Sequence, residues 1–447
     1  MSETIKEKSL VRTLAEFSLP LIASGILQQL YSWADAFIVG NIVGESALAA
    51  IGATNSFVRL FILAMTGFTS GISILSANLF GAKNEGAQRK LLATFLLVLG
   101  GVFTVLAALG IAGTNAMLTL LQTPQDIFNI AGDYLQIILL GIPVMTVYNV
   151  YSAVLRSIGD SKAPFYSILV SSVTNVILDI VFVGFFHWGV QGAAYATILA
   201  QILMTIFIIS YAIRKYDSLR FRFGRHSFDL DLLRRGTILA TPITIQSLVT
   251  ASGNLILQNF MNSFGTPTVA AITTAYRIDG VVMLPITNLS TGIAIITSQN
   301  TGAGNHKRAR RCLFVGLGMM AVISFCLTAM MLTFSGTLIA LFGVTPESTL
   351  IGKQFFASLA WFYIIYGAAM AMRGYTEGIG KVFFSGAFGI TQLSIRVALS
   401  YILRPVFDNM VIAYAEAFSW CALLAMYLIF LFITVSRKKH HRTEETK

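Results

Sequence analysis

The sequence predicts an all-α polytopic membrane protein with twelve transmembrane helices in two pseudo-symmetric six-helix bundles. Three observations carry that prediction. Of 447 residues, 55% are apolar and only 11% are charged, against about 25% charged in an ordinary soluble domain. Twelve apolar runs reach the roughly 20 residues that a helix needs to cross hydrocarbon. The second half also repeats the first, at the spacing that separates Gly44 from Gly265. Such a composition excludes a soluble enzyme, a nucleic-acid-binding protein and a large extramembrane domain. Cys312, Cys326 and Cys421 lie scattered in apolar stretches without a CxxC pair, which implies neither disulfides nor a metal cluster.

In chain order the runs are 15–40, 54–80, 91–113, 130–155, 163–186, 190–213, 237–262, 276–300, 312–334, 354–373, 383–403 and 410–435. The first follows a short charged leader, Met1 to Arg12. It is too long for a signal peptide, contains Asp35 and has no small-residue cleavage site, so it reads as a span. The basic residues set the orientation. Of the 31 Lys and Arg, 26 fall at the N-terminus, in loops 81–90, 156–162, 301–311 and 373–381, in segment 214–235, or after Val435. The alternate loops hold only Lys353 and Arg404. Both termini and every basic loop are therefore expected in the cytoplasm, and the net charge of +11 is a topological signal. The expected organisation is a cytoplasmic N-terminus (1–14), a bundle (15–213), a basic cytoplasmic linker (214–235), a second bundle (236–435) and a cytoplasmic tail (436–447).

The repeat is visible residue by residue. Leu48-Ala49-Ala50-Ile51 returns as Val269-Ala270-Ala271-Ile272, and Gly81-Ala82-Lys83-Asn84 returns as Gly302-Ala303-Gly304-Asn305. Pro20 and Pro242 stand near the start of each half. Six spans per half is an even number, so both halves enter the bilayer in the same orientation and the pseudo-symmetry axis runs along the membrane normal. Two like bundles about such an axis suit alternating access.

An ionisable side chain at the bilayer centre costs about 2.5–3.5 kcal/mol even on the insertion scale. Asp35 in the first span and Asp179 in the fifth pay it. Asn175 lies one turn before Asp179, on the same helix face. Thr197 and Gln201 repeat that spacing in the sixth span, and Gln28, Tyr31 and Asn41 surround Asp35 in the first. Carboxylate, amide and hydroxyl oxygens suit a small hard cation. A carboxylate in apolar surroundings can also take and release a proton near neutral pH. The same atoms therefore serve Na⁺ or H⁺, and polar residues bridging helices are the plainer alternative.

Arg396, Glu416, Arg277 and Asp279 read as ion pairs or snorkelling side chains as readily as substrate contacts. His187, His226, His306, His440 and His441 have no partner at metal-ligand spacing. No HExxH, Walker loop or GxSxG is present, so the chain is not expected to be an enzyme. No cofactor is implied beyond the coupling ion, and with no nucleotide site transport would run on an ion gradient.

Pro20 followed by Asp35, the stretch Asn175-Val176-Ile177-Leu178-Asp179, Ala194-Tyr195-Ala196-Thr197 and Leu155-Arg156-Ser157-Ile158-Gly159-Asp160 resemble the MATE family of multidrug and toxin extrusion transporters. The likeness covers roughly 15 to 435. It implies a V-shaped pair of bundles that exports organic cations and other amphipathic drugs in exchange for Na⁺ or H⁺. It also implies cation coupling at Asp35, Asn175, Asp179 and Thr197, where Na⁺ would bind if it is the coupling ion, and bending of the first helix at Pro20. One branch of the family places a cation-binding Glu in the seventh span. Thr250 stands there in this chain and 237–262 contains no acid, so the resemblance is to the DinF-like and MepA-like members, with one coupling site in the N-terminal half.

Polarity alone nominates Gln28, Tyr31, Gln201, Gln246, Asn254, Gln258 and Asn288 as substrate contacts. The expected protein is a monomeric multi-pass transporter of the cell membrane, with amphipathic compounds and the lipid bilayer as partners and no nucleic acid. A lipid-linked oligosaccharide flippase of the same superfamily and a non-transporting membrane scaffold are the alternatives.

Overall fold

The computed structural model describes residues 9–220 and 228–444, with side chains as far as Thr434, and contains no strand among them. Lys6, Lys8, His226 and the side chains of His440 and His441 lie outside the described residues. The first half comprises α1 (Leu10–Ile42), α2 (Glu45–Gly81), α3 (Glu85–Ala112), α4 (Thr114–Leu120), α5 (Gln125–Leu140), α6 (Ile142–Ser157), α7 (Lys162–Asp179) and α8 (Gly189–Lys215). A π-helical turn, Ile180–Phe185, continues α7. The second half comprises α9 (Leu230–Asn262), α10 (Thr266–Val282), α11 (Leu284–Gly302), α12 (His306–Ala340), α13 (Pro346–Leu359), α14 (Tyr363–Gly378), α15 (Val382–Ile402), α16 (Arg404–Phe407) and α17 (Val411–Glu444).

Eleven helical stretches among the described residues are long and apolar enough to cross a membrane. The twelfth expected span, 237–262, is helical throughout as part of α9, but Gln246, Ser247, Ser252, Asn254, Gln258 and Asn259 leave it too polar to join them. Observed helices also overrun the expected spans: α2 begins at Glu45 and α12 ends at Ala340. Apolar counting stops where hydrocarbon stops, whereas helical hydrogen bonding continues into the interface. Two expected spans are interrupted beside a proline. Pro143 stands at the start of α6 and Pro285 just inside α11; each lacks an N–H and crowds the carbonyl one turn earlier.

The repeat extends to backbone conformation. Gly44 and Gly265, at φ 109° and 86°, precede α2 and α10, and Lys83 and Gly304, at φ 57° and 71°, occupy matching turns. Glycine takes this left-handed conformation without steric cost.

Packing divides the chain into two units. One gathers Glu16–Thr244 and Ser298–Asn305; the other gathers Ile245–Thr297 and His306 onward, together with the residues before Glu16. The start of α9 and the end of α11 thus pack with first-half helices, although the sequence places both in the second bundle. Glycines explain how. A Cβ on Gly81 would lie 1.9 Å from the Gln299 carbonyl oxygen, and one on Gly302 would lie 2.0 Å from that of Asn78. These four residues are two repeat-related pairs, so α2 and α11 cross about a local two-fold axis at which only glycine fits. Ser298 Oγ donates to the Ile74 carbonyl (2.8 Å) and Gln299 Nε2 to the Ser157 carbonyl (2.7 Å), which secures the crossing.

Candidate functional site

In the first unit, α7 packs along α8. This brings Asn175 and Asp179 to Thr197, and all three are buried. Asn175 Nδ2 donates to Thr197 Oγ1 at 3.4 Å. Asp35 reaches the same place from α1, close enough to Asp179 that the two carboxyl groups can share a hydrogen bond once one carries a proton. Tyr31, a turn before Asp35, lies within electrostatic range of both acids, as does Tyr134 on α5. Behind them Val39, Ala47, Tyr134, Ile137, Val183 and Ala194 form an apolar cluster that closes one side of the site.

The polar atoms here are under-supplied with donors. Both carboxylate oxygens of Asp179, Asp35 Oδ1 and Asn175 Oδ1 are buried and have no hydrogen-bond partner among the described residues. Two unit charges about 4 Å apart repel by about 4 kcal/mol at an effective dielectric constant of about 20. A proton held between the acids, or a small cation among the four oxygens, removes that repulsion. The helix that carries Asp179 passes directly into the π turn, a local departure from α geometry of the kind found often at functional sites.

Other nominated residues of this unit are dispersed. Gln28 is exposed on α1, and Gln201 lies against Gly141, the break between α5 and α6. Asn41 donates to the Phe37 carbonyl of its own helix. Pro20 lies inside α1, whose helix runs on through it, and its carbonyl accepts from Ser24 Oγ at 2.7 Å. Tyr134 escaped the sequence reading. A lone tyrosine in an apolar run looks like core filler, and only the packing of α5 against α8 turns it toward the acids.

The second unit is built differently. Arg396 on α15 pairs with Glu416 on α17 at 2.9 Å, and its Nη2 also donates to the Tyr276 hydroxyl at 2.7 Å. Asp279, buried on α10, accepts from the Tyr363 hydroxyl at 2.7 Å. Arg277 is exposed. A cavity of about 290 Å³ opens here, lined by Asn254, Gln258, Tyr276, Arg396, Ser400 and Glu416 among others. Of the nominated substrate contacts, Asn254 and Gln258 reach this cavity. Gln246 does not line it; its Oε1 accepts from Arg373 Nη2 at 3.0 Å, and Arg373 in turn binds Glu377. Asn288 donates to the Leu284 carbonyl of its own helix. Among the described residues no three His, Cys, Asp or Glu side chains form a metal-binding group.

The MatE family model matches the chain twice, over residues 20–181 and 242–402. This chain belongs to the MATE family. The double match coincides with the repeat and with the two sets of helices. Among curated MATE relatives, the probable multidrug resistance protein YoeA of Bacillus subtilis is 27% identical over 440 residues, covering 95% of this chain and 94% of its own. A protein of Shewanella oneidensis named FAD transporter is 26% identical over 345 residues, covering 75% of each chain. A solved structure described as the outward-facing conformation of a multidrug resistance MATE family transporter superimposes with a TM-score of 0.89 at 21% identity, covering 97% of each chain. At that identity the likeness establishes the fold.

Proposed function

We propose that the protein is a secondary antiporter of the cell membrane that exports amphipathic, often cationic, organic compounds by alternating access, driven by Na⁺ or H⁺ entering at Asp35 and Asp179. The observation that carries this reading is the pair of facing acids, with both oxygens of Asp179 lacking a donor among the described residues. A fully compensated structural pair needs nothing from outside; this one is completed by a mobile positive charge. The names of relatives support export, and their different cargoes, multidrug in one case and FAD in another, leave the substrate to the individual chain. The flippase alternative calls for surplus buried cations to hold pyrophosphate, whereas Arg396 is matched by Glu416 and Arg373 by Glu377. The basic loops support cytoplasmic termini.

Coupling follows from charge. In one conformation the acids are neutralised by the entering cation, and that neutralised state has lower affinity for drug. A ligand shifts a conformational equilibrium only through its differential affinity for the two states, and linkage makes the antagonism reciprocal. Pro20, which weakens the backbone ladder of α1 near the carrier of Asp35, is the element expected to yield. Purified protein in liposomes, given a Na⁺ gradient or a proton gradient one at a time, tests the reading by efflux of ethidium. Movement under one gradient that disappears in Asp179→Asn is the expected result. Undiminished gradient-driven efflux in that variant removes the acids from coupling.

A further inference from the structure

The second unit contains a polar cavity that the coupling mechanism does not use. We infer that it is a binding site for a zwitterionic aromatic amphiphile, whose carboxylate meets the free part of the Arg396 guanidinium while its ammonium group faces Glu416. This rests on the export reading for its purpose and names the substrate class such a transporter would carry.

The inference begins with donor counting. Arginine has five N–H donors and no acceptor. Arg396 uses Nη2 for the Tyr276 hydroxyl and for Glu416 Oε2. Nε and Nη1 donate to nothing among the described residues, and neither is among the buried unpartnered atoms, so both are accessible on a side chain that lines the cavity. Arg396 and Tyr276 are further held by contact of the guanidinium with the phenol ring, 5.7 Å from its centroid. The charged group is therefore fixed in place with donors to spare. Asn254, on α9, adds a carboxamide to the lining of the cavity.

The charge balance then selects among ligands. The fixed charges that line the cavity are one of each sign, Arg396 and Glu416. A simple anion would meet the Glu416 carboxylate with nothing to offset it. A simple cation would leave the Arg396 donors unmatched. A molecule with both signs satisfies the guanidinium and the Glu416 carboxylate together. Leu257, Phe260 and Met261 supply an apolar wall for its aromatic part, and methionine adapts to varied shapes. The volume of about 290 Å³ suits a small aromatic molecule rather than a lipid-linked sugar.

Nε-dansyl-lysine, its methyl ester and its Nα-acetyl derivative form a matched fluorescent series: zwitterion, cation and anion on one scaffold. Binding to the purified full-length protein is followed by dansyl emission, without an ion gradient. The zwitterion is expected to bind about tenfold more tightly than either derivative, the difference that one well-placed charged contact contributes. Arg396→Gln should abolish the preference over the ester, and Arg396→Lys should restore part of it. Because a lone Glu416 could unfold the first variant, Arg396→Gln with Glu416→Gln is its companion; it retains the volume, removes both charges and should bind the three probes alike. Equal binding of the three probes by the wild-type protein overturns the inference, as does a zwitterion preference that survives in the double variant. Either failure leaves the export reading standing, since gradient-driven efflux tests that separately.

Discussion

The two halves of this protein share a fold and a backbone register but treat buried charge in opposite ways. In the first unit Asp35 faces Asp179, and neither oxygen of Asp179 has a donor among the described residues. In the second unit Glu416 is held by Arg396, and Asp279 by Tyr363. A duplicated bundle thus has one centre that is electrically incomplete and one that carries its own countercharge. The difference teaches that repeat symmetry fixes the scaffold while single side chains assign the roles. An incomplete centre can respond to an ion; a self-compensated one can present fixed charges to a ligand.

Asp179→Asn is the sharpest way to break that contrast. It should lower gradient-driven efflux more than tenfold while leaving the melting temperature of the detergent-solubilised protein unchanged or higher, because a repelling buried charge has been removed. A drop in melting temperature would mean that the acid is structural. Glu416→Gln should do the reverse to stability. Stranding Arg396 without its partner costs about 3–5 kcal/mol, visible as an earlier thermal or denaturant transition. If the two variants melt alike, the claimed difference between the halves is wrong.

Smaller effects probe the symmetric parts. Gly81→Ala and Gly302→Ala each push a methyl group into a carbonyl across the α2–α11 crossing, and overpacking of this kind costs about 1–3 kcal/mol. By the local two-fold axis their penalties should match within error in a denaturation series; a large inequality would show that the crossing is not symmetric.

Smallest is the anchor at Asp160, outside the spans. Burial acts to raise its pKa, but hydrogen bonds from Lys215, Tyr216 and Tyr211 at 2.9, 2.7 and 2.9 Å outweigh burial and hold it below the ordinary carboxylate value. A carboxylate with a lowered folded pKa stabilises fully above its unfolded pKa of about 3.9 and loses that contribution as pH falls through the folded value. Asp160→Asn should cost about 1–2 kcal/mol at pH 7, and the gap in melting temperature from wild type should close as pH is lowered through the acid range. A gap that stays constant with pH would assign the loss to packing.

The membrane class, the helix count to within one polar span, the repeat and the four members of the acidic cluster, Asp35, Asn175, Asp179 and Thr197, were legible along the chain. Each depends on local composition or on i, i+4 spacing, and Asn175 with Asp179 shows how far such spacing reaches. Asp35 was visible as an expensive residue, and its grouping with Asp179 came from the family resemblance rather than from spacing, because five helices, α2 to α6, lie between the two. Tyr134 and the π turn after Asp179 left no signal at all.

What the sequence determined by itself is the solvent: an 11% charged chain with repeated apolar runs has no stable home but a bilayer, since burial of apolar length is additive along the chain. Which polar groups meet was decided only by tertiary structure. Helix packing set Arg396 against Glu416 and Tyr276 while leaving Asp179 without a donor. Hydrogen bonds and charge pairs act over a few ångströms, and no pattern along a helix specifies what stands that close on its neighbour.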